Sequence, residues 1–161
     1  MSKTPATVAL VRAGIAHTVH GYRHDRDAVR DGLAYGEEAA SALGVQPDRV
    51  LKTLVAAVDG ELVVAVLPVS ARLDLKALAA AAGGKRAEMA DPTAAQRATG
   101  YVVGGISPVG QRKRLRTVVD ASALEHDSVY VSGGRRGLDI ELSPRDLVAV
   151  TGATVAACTT A

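Results

Sequence analysis

The 161 residues are 48% hydrophobic and 22% charged, a balance that fits one globular domain (residues 1–161) and excludes disordered or fibrous classes. A net charge of +2 does not by itself point to nucleic acid. No apolar run of about 18 residues spans a bilayer, the N-terminus lacks the apolar core of a signal peptide, and the single cysteine, Cys158, excludes an intrachain disulfide, so a cytoplasmic protein with no membrane association is expected.

In chain order, Thr4-Pro5 reads as an N-cap with proline at the first helical position, and Gly14 stops that helix. Ile15 to Tyr22 follows as a strand, His24 to Tyr35 as a polar loop without period, and Gly36 to Leu43 as a short helix ending at Gly44. His20 and His24 are four apart, a spacing that suits a metal only on a helix, so no metal site is expected there. Leu51 to Val58 and Leu62 to Leu67 are apolar runs joined by Asp59-Gly60, a hairpin-turn signal. Lys52 interrupts the first run. Strand alternation places it with Val50, Leu54, Ala56 and Val58, opposite Leu51, Thr53, Val55 and Ala57. Both faces are apolar, and burying an unpaired ammonium costs several kcal/mol. Such a lysine either snorkels to water or lines a pocket holding an anionic or carbonyl-bearing ligand.

Leu73 to Ala82 reads as a helix capped by Asp74 and stopped by Gly83-Gly84, and Asp91-Pro92 opens another that closes at Gly100. Strands are expected at Tyr101–Val103, Leu115–Asp120, Ser128–Val131 and Leu138–Leu142, with a Ser122/Glu125 capping box between two of them. Ser143-Pro144 opens a last helix that Gly152 ends, and Thr154–Ala157 reads as a final strand. Helices and strands intersperse without regular alternation. The expected class is α+β, with a mixed, barrel-like β-sheet and surrounding helices.

Phe and Trp are absent, so the core must be aliphatic, and the four tyrosines Tyr22, Tyr35, Tyr101 and Tyr130 stand out. Two glycine-rich loops also stand out. Gly104-Gly105-Ile106-Ser107-Pro108 lacks the following Gly-Lys-Ser/Thr of a phosphate loop, and its later glycine falls one residue out of place for a nucleophile elbow. It reads either as a wide turn or as a loop whose amides meet an oxygen ligand. The second, Ser132-Gly133-Gly134-Arg135-Arg136-Gly137, leads into Leu138-Asp139-Ile140-Glu141-Leu142, where the acids share one face that is solvated by default.

Lys52-Thr53-Leu54, Glu88-Met89-Ala90-Asp91-Pro92, the stretch from Thr99 to Pro108 and the stretch from Tyr130 to Leu142 together resemble the YbaK family. These are bacterial editing proteins related to the editing domain of prolyl-tRNA synthetases. The likeness runs from about Thr4 to about Val155. It implies the YbaK and prolyl-tRNA synthetase editing-domain fold, and a trans-editing deacylase that removes cysteine from the proline tRNA, with no cofactor. The family's indispensable lysine falls on Lys52, the catalytic candidate, which would hold the phosphate or ribose end of the terminal adenosine. Tyr22, Tyr35, Thr53, Gly104, Gly105, Ile106, Ser107, Ser132 and Asp139 fall on substrate-binding positions. Here Tyr35 stands where a bare aromatic ring is common, after a loop longer than the family's.

The same resemblance implies that the substrate thiol attacks its own carbonyl, so that the protein orients the ester and stabilises charge, with amides of Gly104-Gly105 as oxyanion donors. Arg112, Lys113, Arg114 and Arg116, with Arg135 and Arg136, read alone as solvated charge. Beside an acceptor-end pocket they become candidate contacts to tRNA phosphates. The implied partners are the aminoacyl-tRNA acceptor end and prolyl-tRNA synthetase, with the oligomeric state left open. Two alternatives remain: a deacylase for another small aminoacyl ester such as alanyl, and a non-catalytic tRNA- or synthetase-binding module.

Overall fold

Thr4 sets the first helix. In this computed structural model, which describes residues 3–23 and 35–160, its hydroxyl accepts the Thr7 amide at 3.2 Å while Thr7 Oγ1 accepts the Thr4 amide at 2.9 Å, a reciprocal cap. The helix α1 spans Pro5–Arg12. Gly14 takes a φ of +68°, and the Ile15 amide bonds back to Leu10. Ile15 is thereby spent on the helix end, and β1 begins later than its apolar run suggested, at His17–Gly21. The expected polar loop lies outside the described residues as far as Ala34, and Tyr35 opens α2 (Tyr35–Leu43).

The hairpin forms as expected. β2 (Leu51–Val58) and β3 (Glu61–Pro68) pair antiparallel around Asp59 and Gly60, both at positive φ, the signature of a type I′ turn. β4 (Arg72–Leu73) and α3 (Leu75–Ala81, capped by Asp74) follow. β5 (Ala87–Met89) then leads through Asp91 into α4 (Pro92–Thr99). The remaining elements are β6 (Arg116–Asp120), β7 (Val129–Arg135), β8 (Leu138–Leu142), α5 (Pro144–Thr151), β9 (Thr154–Ala156) and β10 (Thr159–Thr160).

A mixed five-stranded sheet runs in the order β5-β2-β3-β6-β9, an antiparallel three-stranded sheet in the order β1-β8-β7, and β10 pairs with β4. The α+β class holds. The barrel does not close among the described residues: a single parallel bridge, Val50 to Tyr130, joins the two larger sheets. β3 lies at the centre, and its side chains feed two cores. Val63, Ala65 and Leu67 pack with Ala56, Val118 and Cys158 beneath Leu78 and Ala79 of α3. Val64 and Val66 meet Val129, Val131, Ile140 and Leu142 of the smaller sheet, with Leu10 and Leu147 from α1 and α5. A third cluster sets Ala39 and Ala40 of α2 on Val50, Val69 and Tyr130.

Two local expectations are corrected. Tyr101–Val103 is not a strand. Gly100 ends α4 at a φ of +82°, and the Gly105 amide closes a turn onto the Val102 carbonyl at 2.9 Å, leaving no neighbour to extend against. The turn of 3-10 helix at Ala121–Glu125 is capped by Asp120, not by a Ser122/Glu125 box. The buried Asp120 carboxylate accepts from the Ser122 amide and hydroxyl, and from the Cys158 amide at 2.8 Å. Asp120→Ala would orphan that buried amide, costing about 2–3 kcal/mol. Thermal denaturation of the variant should show Tm lower by roughly 5–10 °C.

Candidate functional site

β5 pairs only with Ala56–Val58. The Ala90 amide makes one further bond, to the Val55 carbonyl at 3.0 Å, and Asp91-Pro92 then turns the chain into α4. The edge of β2 from Leu51 to Leu54 is left without a strand partner among the described residues. A cavity of about 310 Å³ lies along it. The Val50 carbonyl faces β3 and the Val55 carbonyl faces β5, so ladder alternation aims the Thr53 amide and carbonyl at the cavity. The buried Thr53 Oγ1 has no hydrogen-bond partner among the described residues. Gly36, also on the wall, admits α2 closely, because a Cβ there would sit 2.3 Å from Val69 Cγ1.

Lys52 is half-buried, and its Nζ donates to the Ala71 carbonyl at 2.7 Å. Burial lowers its pKa, an effect that nearby Glu37 opposes. Lys52 is among the residues that line the cavity. Asp139 lies opposite His20 on β1 and Ser132 on β7. Its face is not solvated. Asp139 is 5% exposed, and its carboxylate makes no hydrogen bond to any described residue. Burial pushes its pKa up to about 7. Burial also raises the Tyr22 phenol to about 12, with the Asp139 charge adding to the effect.

The structure brings Tyr22, Lys52, Thr53, Ser132 and Asp139 together with Gly104 and Ile106 of the first glycine loop. Gly105 and Ser107 do not line the cavity. A Cβ on Gly105 would sit 2.8 Å from Arg135 Cα, so this glycine lets the two loops touch, and its amide is occupied by the Val102 carbonyl. Ser107 is fully buried and its Oγ accepts from the Val109 amide. Of the expected oxyanion donors, only the Gly104 amide therefore remains available at the wall. Tyr35 begins α2, and its side chain lies outside the described residues. Tyr101 and Tyr130 serve packing: Tyr101 donates to the Val109 carbonyl at 2.7 Å, and Tyr130 stacks near His20 and Arg49. Reading the sequence missed Met89, Ala90, Pro92 and Val103 as wall residues. The block Glu88–Pro92 carried the signal, but a three-residue strand gives no period to read.

The basic residues lie off the cavity. Arg116 donates to the Ala82 carbonyl at the end of α3, Arg112 packs beside Gly100 at the end of α4, and Arg114 beside Gly152 at the end of α5. Arg112, Lys113, Arg114 and Arg116 remain exposed. Arg136 donates through Nε and a terminal nitrogen to the Val103 carbonyl, at 3.0 and 2.6 Å, tying the second glycine loop to the first. His20 bonds Glu141 at 2.9 Å, and His24 lies outside the described residues. Cys158 is buried in the core under α3, away from the cavity, with its thiol pushed up to about 12 by burial and then by Asp120.

The result is a walled cavity on an open strand edge, lined by the Lys52 ammonium and by the buried Asp139 carboxyl. The profile of the aminoacyl-tRNA editing domain matches residues 32–150. The chain belongs to that family. It is 39% identical over 125 residues to EbsC of Enterococcus faecalis, covering 77% of this chain and 76% of that protein, which is provisionally named a Cys-tRNA(Pro)/Cys-tRNA(Cys) deacylase. It is 37% identical over 97 residues to a proline–tRNA ligase of Citrifermentans bemidjiense, a match covering 60% of this chain and 17% of the ligase. A crystal structure provisionally described as a trans-editing enzyme for prolyl tRNA synthetase superposes with a TM-score of 0.85 at 25% identity, over the whole of both chains.

The raised pKa of Asp139 has a stability consequence. Relative to an unfolded carboxyl near 3.8, the folded protein holds an extra proton between pH 4 and pH 7. The associated stability is fully present below about pH 4 and is lost as pH rises through about 7, amounting to as much as ~4 kcal/mol. Asp139→Asn should raise Tm at pH 8 by roughly 5–10 °C, with the difference shrinking on acidification to pH 4. A pH series of thermal melts checks this.

Proposed function

We propose that residues 1–161 form one trans-editing domain that deacylates cysteinyl-tRNA charged onto the proline tRNA, acting in the cytoplasm on the acceptor end and in partnership with prolyl-tRNA synthetase. The observation that carries this reading is the cavity itself, where Lys52, Thr53, Gly104 and the buried Asp139 carboxyl converge in a member of the editing family. An aminoacyl ester offers the matching groups. Its α-ammonium pairs with Asp139, which is ionised to a useful degree near neutral pH. Lys52 holds the ribose or phosphate end of the terminal adenosine, and Thr53 supplies an open backbone edge and an unpartnered hydroxyl.

No wall hydroxyl is prepared as a nucleophile: Ser132 Oγ accepts the Gly134 amide at 3.2 Å, and Thr53 Oγ1 touches no base among the described residues. The reaction instead uses the substrate thiol. Its sulfur bonds to the ester carbonyl carbon, the bond to the ribose oxygen breaks, and that oxygen takes up the proton the thiol gave up. The cyclic thioester so formed is hydrolysed by water. Orientation of thiol against carbonyl supplies much of the rate, and the Gly104 amide stabilises the developing oxyanion, a contribution of about 3 kcal/mol for a well-placed donor. The basic residues Arg112, Lys113, Arg114, Arg116, Arg135 and Arg136 take tRNA phosphates outside the cavity.

Single-turnover deacylation of matched cysteinyl- and seryl-tRNA at saturating enzyme tests the mechanism. The seryl ester should bind comparably but react slower by orders of magnitude, because a neutral hydroxyl is a poor nucleophile without a base. Equal rates would show that the protein activates water, and preferential release of alanine would move the specificity to an alanyl ester. Lys52→Ala should abolish turnover with an unchanged melting profile; a folded variant with full activity would remove Lys52 from the chemistry.

A further inference from the structure

Three of the exposed large hydrophobic side chains gather at the cavity. Met89 and Val103 both line the cavity, yet they are 49% and 38% exposed, and Val102 beside them is 54% exposed. They come from segments distant in sequence, β5 and the turn after α4. Core packing does not account for them, since none belongs to either of the two larger core clusters. The Val103 backbone is held at both ends. Its amide donates to Gln96 Oε1 at 2.8 Å, and its carbonyl accepts the two bonds from Arg136. Met89 is fixed by the β5 ladder to Ala56. The apolar surface is thus exposed and held in place at once.

We propose that Met89 and Val103, flanked by Val102, form a shelf that receives the adenine ring of the substrate's terminal nucleoside. The inference rests on the deacylase reading and deepens it. With the ester bond at the Thr53 edge and the ribose against Lys52, the base attached to that ribose must emerge at the cavity mouth, where these side chains stand. A purine presents a flat, polarisable face, and a thioether meets such rings favourably. Stacking on a shelf requires no base-edge hydrogen bonds and suits a nucleotide common to all acceptor ends. The charge pattern agrees. Exposed Arg135 and Arg136 lie beside Val103, where the phosphate entering the terminal nucleoside would pass.

The test compares two small esters, 3′-O-cysteinyl adenosine and the cysteinyl ester of a methyl riboside that lacks the base, by the ratio of their kcat/KM values. The wild-type protein should prefer the adenosine ester roughly 10-fold or more. Met89→Asp, a substitution at an exposed edge position, should drive that ratio toward one, and Met89→Leu should keep most of it. A wild-type ratio near one, or a ratio unchanged in Met89→Asp, would overturn the shelf while leaving deacylation standing. An unchanged ratio accompanied by weakened binding of prolyl-tRNA synthetase would reassign the patch to a protein partner. Failure to hydrolyse either ester, or cysteinyl-tRNA itself, would remove the deacylase reading and the shelf with it.

Discussion

The hydrogen bond from the Ala90 amide to the Val55 carbonyl marks the point at which the edge of β2 stops pairing and begins to border the cavity. Before it, β5 satisfies the edge of β2; after it, Asp91 and Pro92 bend the chain into a helix, and four residues of β2 keep an open flank. A strand edge is ordinarily a hazard for aggregation. Here α2, α4 and the first glycine loop wall it in, so the unpaired groups are sheltered from other chains but remain reachable by a small molecule. The placement of Lys52, the exposure of the Thr53 backbone and the seating of Gly36 against Val69 all follow from that break.

Within this enclosure the two ionisable groups are treated differently. The Lys52 ammonium is tethered to a neutral carbonyl, which orders it while leaving its charge available. Asp139 has no such tether among the described residues and is more deeply buried, so the fold carries a carboxyl that resists ionisation. A substrate bringing an ammonium into the cavity would relieve that resistance. Binding energy and the energetic cost of the empty site are therefore two views of one interaction, a common arrangement where function is retained against stability.

Much of this organisation was legible in the sequence because it rests on local chemistry. Caps and glycines marked the helices, and Asp59-Gly60 marked the hairpin. The half-buried lysine was visible as a charge between apolar neighbours. The buried state of Asp139 was not visible in the alternation of its strand, which suited a solvated face equally well; only the tertiary packing around the cavity decides it. The short strands β4, β5 and β10 have too few residues to show a period, and with β5 went the wall residues Met89 and Ala90. Gly105 and Ser107 sit within a motif whose members Gly104 and Ile106 line the cavity. Their own roles, a close loop contact and a buried turn, depend on the second glycine loop and on tertiary distances that spacing along the chain does not encode.

The run from Arg112 to Arg116 sends three guanidinium groups to three helix ends. Each such end carries the negative pole of its helix dipole, so each cation stands beside a fixed partial charge of opposite sign. A charge coupled to its counterpole projects a field that decays faster with distance than that of a bare ion. With a net charge of only +2 on the whole chain, this surface has little reach across water. On the proposed reading it would grip a polyanion at contact range without drawing it in from afar, and encounter with RNA would be governed by collision and by whatever larger partner delivers it, the arginines acting only once the strand has arrived.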